Sequence, residues 1–126
     1  MPLRIISLNV NSIVHNSRKN LLYDFVRSNP ADIYLLQETK LDSRVKIYLP
    51  FYSVLRCDVK HGRGGTAIFI CNGIPFRNLS TSRDDINFTS IQIQLNGLWH
   101  RISSVYVTHS AVDIDQSFKF TVWQLQ

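Results

Sequence analysis

The chain opens with two short apolar runs separated by a stretch whose apolar positions follow a helical period. Residues 4–9 and residues 33–36 are compact hydrophobic segments, too short for helices, and they predict buried strands. Residues 17–28, which lie between them, predict an amphipathic helix with Asn16 or Ser17 as its N-cap. A strand, a helix and a strand of this total length predict a β-α-β unit whose two strands run parallel.

The middle of the chain changes to the pattern of antiparallel strands. Residues 52–56 and residues 66–71 are rich in β-forming side chains and predict two strands. The dipeptides Asn72-Gly73 and Asn96-Gly97 are typical of hairpin turns. The second turn has stronger support, because an alternating apolar segment precedes it and the β-rich residues 99–107 follow it.

The last segment of the chain predicts a second helix. Asp113 or Asp115 is expected to cap it, and Phe118, Val122 and Leu125 then fall on one seam at helical spacing. No repeat, linker or low-complexity tract divides the chain, so we expect a single α/β domain with a mixed sheet.

Two polar residues close the two parallel strands. Asn9 ends the first strand, and Glu38, the only glutamate of the chain, follows the second. Parallel neighbours bring both carboxyl ends to one edge of the sheet, where open α/β sheets place their binding sites. Glu38 could bind a hard cation such as Mg²⁺, and Asn9 could donate to a phosphate oxygen. Each residue taken singly also fits a plainer use, as a solvated acid after a strand and as a turn asparagine.

The charge of the chain is unevenly distributed. There are 14 Lys and Arg against 9 Asp and Glu, a net charge of +5, and residues 1–64 hold ten of the basic residues but five of the acids. A basic half suits a polyanion such as nucleic acid, because Lys and Arg neutralise phosphates and release counterions. A basic surface without any ligand explains the charge equally well.

The cysteine pattern and a search for targeting segments predict the cellular compartment. Cys57 and Cys71 lack the spacing of a CxxC site and are too few for a disulfide framework. The sequence has no secretory signal pattern and no apolar run long enough to cross a membrane. We therefore expect an intracellular protein, cytoplasmic or nuclear, with reduced thiols and no membrane partner.

Four blocks of the sequence occur in the order found in one known superfamily. They are LRIISLNVNS at residues 3–12, PADIYLLQETKL at residues 30–41, RGGTAI at residues 63–68 and SVY at residues 104–106. With these blocks the chain resembles the endonuclease/exonuclease/phosphatase superfamily, and most closely the apurinic-endonuclease-like domain of non-LTR retrotransposons. The resemblance implies the N-terminal part of the four-layer α/β sandwich of the DNase I-like and exonuclease III-like fold.

The resemblance also implies roles for individual residues. Glu38 matches the family's metal-binding glutamate, Asn9 the asparagine of its first active-site motif, and Tyr106 the tyrosine that approaches the scissile phosphate. These three are the expected catalytic residues, with Glu38 as the ligand of Mg²⁺ or Mn²⁺. Such a site suits phosphodiester cleavage, since a bound metal neutralises phosphate oxygens and activates water. The residues expected to contact the substrate are Asn11, Lys40 and Arg63.

Two later motifs of the superfamily are absent from the chain, a Gly-Asp-Phe-Asn-like block and a Ser-Asp-His-like block. In the family they supply the aspartate that activates water and the Asp–His pair at the phosphate. His109, Asp113 and Asp115 are better interpreted as a loop histidine and helix caps. We therefore expect a domain of residues 1–126 that is truncated at its C-terminus. It should be nearly inert, because losing a general base costs about 10²–10⁴ in rate.

Three functions remain open on the sequence. The first is the N-terminal part of a Mg²⁺-dependent, DNA-nicking endonuclease of retrotransposon type, whose parent polypeptide would also hold a reverse transcriptase region. The second is a degenerate, non-catalytic module for nucleic-acid binding or protein interaction. The third is another phosphodiesterase or phosphatase of the same superfamily. The resemblance and the basic N-terminal half favour DNA as the partner.

The resemblance leads to one expectation about stability. The second sheet of the sandwich would come from the C-terminal half of the domain, so the strands of residues 5–8 and residues 33–36 should lack part of their cover. Apolar area left in water forgoes about 25 cal/mol of stabilisation per Å², and net stabilities are only about 5–15 kcal/mol. The chain is therefore expected to be poorly stable alone.

Overall fold

The computed structural model describes residues 2–58, 64–80, 86–107 and 119–125. Within these ranges the chain forms one helix and eight strands. The elements in chain order are β1 (Leu3–Asn9), α1 (Asn16–Ser28), β2 (Ile33–Gln37), β3 (Tyr52–Cys57), β4 (Thr66–Cys71), β5 (Phe76–Asn78), β6 (Ile86–Leu95), β7 (Leu98–Val107) and β8 (Lys119–Leu125).

The strands form two sheets. Five strands make a mixed first sheet in the order β3-β4-β2-β1-β8, and three make an antiparallel second sheet in the order β5-β6-β7. β1 and β2 run parallel, with Asn9 opposite Gln37, so β1, α1 and β2 are the β-α-β unit predicted from the sequence. The other strand pairs are antiparallel. The predicted α/β class with a mixed sheet is confirmed.

The N-cap of the helix lies one residue before the first of its two predicted positions. Asn16 is already helical and the N-cap is His15, whose side chain makes no capping hydrogen bond. The prediction of Asn16 or Ser17 as N-cap is therefore wrong. The reason is that the first helical turn closes on the carbonyl of His15, which accepts from Lys19 N at 3.0 Å.

No helix among the residues that the structure describes is long and apolar enough to span a membrane.

Two apolar clusters hold three layers together, namely α1, the first sheet and the second sheet. The outer cluster, between α1 and the first sheet, includes Ile6, Leu8, Leu22, Val26, Tyr34 and Phe69. The inner cluster, between the two sheets, includes Leu3, Ile5, Ile33, Ile68, Ile91 and Ile93. Alternate residues of β1 enter opposite clusters, because successive side chains of a strand point to opposite faces.

The inner cluster corrects the expectation that β1 and β2 lack cover. The second sheet is built from β5, β6 and β7 of this chain, and Ile91 and Ile93 of β6 are fully buried in the inner cluster. Among the strands, the large apolar side chains that are exposed lie instead on β7 and β8, where Val105 is 47% and Trp123 is 46% exposed. Both strands are the last of their sheets, so one side of each lacks a neighbour among the described residues.

The predicted C-terminal helix is wrong where the structure describes it. Lys119–Leu125 is strand β8, which pairs antiparallel to β1 with Trp123 opposite Ile5. Residues 113–118 of the predicted helix lie outside the described residues. The segment 119–125 is rich in aromatic and β-branched side chains, and the edge of β1 offers it hydrogen-bond partners. The apolar spacing alone is compatible with either structure.

The two Asn-Gly turns have different outcomes. Asn96 and Gly97 join β6 to β7 with φ angles of +50° and +80°, and Leu95 lies opposite Leu98, so the predicted two-residue hairpin is confirmed. Asn72-Gly73 also reverses the chain, but it joins β4 to β5, which belong to different sheets. The prediction of a hairpin there is wrong, because a turn sets only the reversal of the chain and the packing of the sheets decides the partner strand.

Candidate functional site

A cleft of about 490 Å³ lies between the two sheets at the ends of β1, β2 and β7. The residues that line it are Ser7, Asn9, Leu35, Gln37, Glu38, Ser103, Val105, Tyr106 and Trp123. The three expected catalytic residues, Asn9, Glu38 and Tyr106, are therefore brought together. The first two come from adjacent parallel strands of the first sheet, and the third comes from the second sheet.

The loops after β1 and β2 are hydrogen-bonded to each other beyond the end of the strand ladder. Ser12 N donates to the carbonyl of Glu38 at 2.7 Å, and Ile13 N donates to the carbonyl of Thr39 at 3.1 Å. The loop that follows Glu38 is therefore held against the loop that follows Asn9. These hydrogen bonds restrict the position of Glu38 relative to Asn9.

Four residues of these two loops have left-handed backbone conformations. The φ angles are +43° at Asn11, +79° at Ser12, +56° at Glu38 and +55° at Lys40. A residue other than glycine costs about 1–2 kcal/mol in this region. Such strain persists only where the surrounding structure imposes it, and it clusters at functional sites. Four of the six non-glycine residues with positive φ in the described part of the chain thus lie at the edge of the sheet that also holds the polar side chains.

Asn9 has an oriented side-chain amide. Its Oδ1 accepts from the backbone N of Asn11 at 3.2 Å, and Asn11 Oδ1 in turn accepts from Lys40 Nζ at 3.1 Å. Because the carbonyl end of the Asn9 amide is engaged, its Nδ2 is the group suited to donate to a phosphate oxygen. Asn11 and Lys40, both expected substrate contacts, lie beside the cleft rather than among its lining residues. Arg63, the third expected contact, lies outside the described residues.

Tyr106 is packed against Gly64, the first of two glycines that precede β4. A Cβ built on Gly64 would lie 2.7 Å from Tyr106 Cδ1, so the ring rests directly on the Gly64 backbone. Asn87 is the cross-strand neighbour of Tyr106, and its Oδ1 accepts from Gly65 N at 3.1 Å. Gly64 and Gly65 have φ angles of +78° and +89°, which favour glycine at both positions.

A partly buried polar network joins the two sheets at the cleft. Gln37 Nε2 donates to Ser7 Oγ at 3.1 Å and to Ser104 Oγ at 2.9 Å. Ser104 Oγ donates to the carbonyl of Leu36 at 2.6 Å, which ties β7 to β2. Buried polar groups require such partners. The end of the sandwich next to the cleft is thus held by directional bonds as well as by the apolar cluster.

Several residues at the cleft were not predicted from the sequence as site residues. Ser7 and Gln37 do carry a signal, since each is a polar residue within or at the end of an otherwise apolar strand. Asn87 carries none, because its partner Gly65 is 22 residues away in sequence. Trp123 was hidden by the wrong assignment of residues 119–125 to a helix.

The donor set of the cleft fits a hard divalent cation with few protein ligands. Among the described residues, no group of three or more His, Cys, Asp or Glu comes together. Glu38 supplies the carboxylate of the cleft lining. Mg²⁺ is usually bound by one or two carboxylates, with waters and substrate phosphates completing its shell. Glu38 would therefore be the protein ligand of such an ion.

Solved structures share this fold. The AP endonuclease LMAP from Leishmania major has a TM-score of 0.66 and 18% identity, over 88% of this chain and 42% of that one. The endonuclease domain of TRAS1, a telomere-specific non-LTR retrotransposon, has a TM-score of 0.61 and 16% identity, over 86% of this chain and 47% of that one. Humanized TDP2 from D. rerio has a TM-score of 0.62 and 19% identity, over 86% and 49%. The chain spans less than half the length of each.

The sequence itself matches a protein family. No curated protein matches the chain. The sequence model of the endonuclease/exonuclease/phosphatase family, however, matches residues 6–114, a range that includes Asn9, Glu38 and Tyr106. This match covers most of the chain and agrees with the fold of the solved structures. The chain belongs to the endonuclease/exonuclease/phosphatase family.

Proposed function

We propose that the chain is the N-terminal part of a Mg²⁺-dependent DNA endonuclease of the retrotransposon type. The observation that carries this proposal is the meeting of Asn9, Glu38 and Tyr106 in one cleft between the sheets. The family is typically dependent on divalent metals. The similar structures include an AP endonuclease and a retrotransposon endonuclease domain, which supports DNA as the substrate. A parent polypeptide of this type would also hold a reverse transcriptase region.

Three residues of the cleft and Lys40 beside it have definite tasks in this proposal. Mg²⁺, or Mn²⁺ in its place, would be held by Glu38 and would neutralise phosphate oxygens and activate water. Asn9 donates from Nδ2 to a phosphate oxygen, because its Oδ1 already accepts from Asn11 N. The hydroxyl of Tyr106 donates to the scissile phosphate from the opposite sheet. Lys40, beside Asn11, adds positive charge at the edge of the cleft.

A second candidate function is a non-catalytic nucleic-acid-binding module. It is favoured by the small number of titratable groups in the cleft, because Glu38 and Tyr106 are the titratable ones among the lining residues that the structure describes. Neither would act as a general base in the proposed site, because Glu38 would hold the metal and the Tyr106 hydroxyl would donate to the phosphate. The two candidates share the substrate class and differ in whether the chain cleaves what it binds.

The proposed role of Glu38 predicts the outcome of a metal titration. Glu38→Gln should weaken Mn²⁺ binding by roughly tenfold or more, because it removes a carboxylate ligand. Asp24→Asn is the matched control, since it removes the same charge from an exposed position on α1. It should leave the affinity unchanged in isothermal titration calorimetry. Equal affinities in the two variants would exclude Glu38 as the ligand.

The chain is also expected not to nick DNA by itself. Supercoiled plasmid incubated with Mg²⁺ should remain intact with both the wild-type chain and the Glu38→Gln variant, because the described cleft lacks a general base. The measurement is the conversion of supercoiled to open-circular plasmid on a gel. Nicking by the wild-type chain that disappears in the variant would show a working nuclease and contradict the expected inertness.

Binding of DNA should be weak, non-specific and dependent on salt. The described candidates for phosphate contact include Lys40 and Arg44, but Arg44 hydrogen-bonds Asp42 and holds the pKa of that carboxyl at about 2. Asp42 therefore stays ionised at neutral pH and offsets the charge of Arg44. Lys40 is the better candidate, because its Nζ lies beside Asn11 at the cleft.

A salt titration tests this assignment. Lys40→Gln should reduce the slope of log K against log salt by about 0.9, the value for one phosphate contact. Arg77→Gln removes a charge that stacks on Trp99 in the second sheet, away from the cleft, and should leave the slope unchanged. Fluorescence anisotropy with a labelled duplex measures both slopes. The same slope in the two variants would argue against DNA binding at the cleft.

A further inference from the structure

We infer that Asn87 is a positioning residue of the cleft, which acts through Gly64 and Gly65 to set Tyr106 relative to Glu38. The inference deepens the proposed function, on which it rests for the roles of Tyr106 and Glu38. These two residues belong to different sheets, so their separation depends on how the sheets are joined near the cleft.

The first link joins Asn87 to the glycine pair. Asn87 Oδ1 accepts from Gly65 N at 3.1 Å. A Cβ added to Gly64 would lie only 2.3 Å from the same Asn87 oxygen. The Asn87 amide therefore packs against Gly64 and hydrogen-bonds to Gly65. Asn87 belongs to β6 of the second sheet, whereas the glycines lead into β4 of the first sheet. This side chain therefore forms a directional bond between the sheets.

The second link joins the glycine pair to the loop of Glu38. The carbonyl of Gly64 accepts from Lys40 N at 2.8 Å, and the carbonyl of Gly65 accepts from Thr39 N at 3.2 Å. These two amides directly follow Glu38, whose φ angle is +56°. Peptide units are planar and rigid. A displacement of the glycine pair is therefore passed to the backbone that carries the Glu38 side chain.

The third link joins the glycine pair to Tyr106. A Cβ on Gly64 would lie 2.7 Å from Tyr106 Cδ1 and 2.9 Å from Tyr106 Cε1, so the ring packs directly on this glycine. Asn87 lies opposite Tyr106 on the neighbouring strand. Tyr106 is thus in contact with the backbone that also holds the Glu38 loop, and Asn87 keeps that backbone in place.

The apolar cluster between the sheets cannot supply this accuracy, because hydrophobic burial is non-directional. Reacting groups must be placed closely, and a misplacement of about 1 Å can lower a rate by about 10². A hydrogen bond with one donor and one acceptor restricts both distance and angle. Asn87 supplies such a bond at the point where the two sheets meet beside the cleft.

The test follows the ring signal of Tyr106 in a chain with ¹³C-labelled tyrosine, assigned through Tyr106→Phe. Asn87→Ala should shift this signal and also the amide signals of Thr39 and Lys40. Asn87→Asp retains an oxygen acceptor for Gly65 N and should restore all three. Asn78→Ala, which removes an asparagine from β5, is the matched control and should leave them unchanged. Unchanged signals in Asn87→Ala would overturn the inference.

A second measurement adds Mg²⁺ and inorganic phosphate together. In the wild-type chain both the Glu38 amide and the Tyr106 ring should respond, whereas in Asn87→Ala the Glu38 response should persist and the Tyr106 response should be lost. Retention of both responses in the variant would overturn the inference.

The two measurements separate failure of the inference from failure of the proposed function. A wild-type chain that does not respond to Mg²⁺ and phosphate would contradict the proposed function, while the shifts caused by Asn87→Ala would still establish the positioning of Tyr106. If Asn87→Ala does not fold, Asn87→Ser replaces it, since the shorter side chain keeps a polar residue in β6 but cannot reach Gly65 N. Shifts in the serine variant support the inference, and their absence overturns it.

Discussion

Gly64→Ala is expected to lower the free energy of unfolding by about 1–3 kcal/mol more than Gly97→Ala does, the increment typical of overpacking. The two glycines have nearly the same φ angle, +78° at Gly64 and +80° at Gly97. The cost of placing alanine in the left-handed region, about 1–2 kcal/mol, is therefore common to both. At Gly97 an added Cβ meets nothing within 4 Å, whereas at Gly64 it would lie 2.3 Å from Asn87 Oδ1 and 2.7 Å from Tyr106 Cδ1.

Urea unfolding followed by circular dichroism measures this difference, and the ring signal of Tyr106 locates it. Gly64→Ala should shift that signal, because the ring must move away from the new methyl group, and Gly97→Ala should not. Equal losses of stability with an unchanged ring signal would mean that Tyr106 does not pack on Gly64 in solution. The placement of Tyr106 in the cleft would then have to be abandoned.

Ile91→Ala is expected to destabilise the chain by about 2–5 kcal/mol, the usual cost of cutting a buried isoleucine to alanine. Ile91 is fully buried in the inner cluster, together with Ile5 of β1 and Ile33 of β2. Leu98→Ala is the control, because Leu98 is 65% exposed at the start of β7 and its truncation should change stability by less than about 0.5 kcal/mol. The loss expected for Ile91→Ala is a large part of a typical net stability of about 5–15 kcal/mol.

Chemical denaturation of the two variants also decides between the sequence-based expectation and the structure. If β5, β6 and β7 cover the first sheet in solution, Ile91→Ala unfolds at a much lower urea concentration than Leu98→Ala. If the two variants unfold alike, the second sheet is not packed, and β1 and β2 lack their cover as the resemblance implied. Binding of a hydrophobic dye to the wild-type chain should in that case be strong.

Local patterns in the sequence were sufficient for most of the secondary structure. The strands near residues 4–9, 33–36, 52–56 and 66–71 each lie within one residue of the observed bounds. The parallel pairing of β1 and β2 follows from the length of the connection through α1, since a parallel pair needs a crossover. The Asn96-Gly97 hairpin follows from turn chemistry, because both residues tolerate positive φ.

The candidate site could be predicted in part, and the limit has a physical cause. The placement of Asn9 and Glu38 at one edge of the sheet follows from the sequence alone, because neighbouring parallel strands have their carboxyl ends on the same side. Tyr106 does not follow from any local pattern, since it belongs to the other sheet and the packing of the sheets brings it to the cleft. It was identified through the resemblance to a family. Its roles and those of Asn9 and Glu38 stay predictions until the metal titration and the nicking assay are done.

Local patterns predict the apolar segments, the chain reversals and the polar residues that end the parallel strands, because these features depend on neighbours within a few positions. Three other features arise from tertiary packing: residues 119–125 form a strand on β1, Gln37 joins Ser7 to Ser104, and Asn87 accepts a hydrogen bond from Gly65 N. Each of these contacts links residues more than 20 positions apart, and the hydrogen bonds of a strand edge or a side-chain amide depend on distance and direction in space. The spacing of residues along the chain predicts neither the distance nor the direction between such partners.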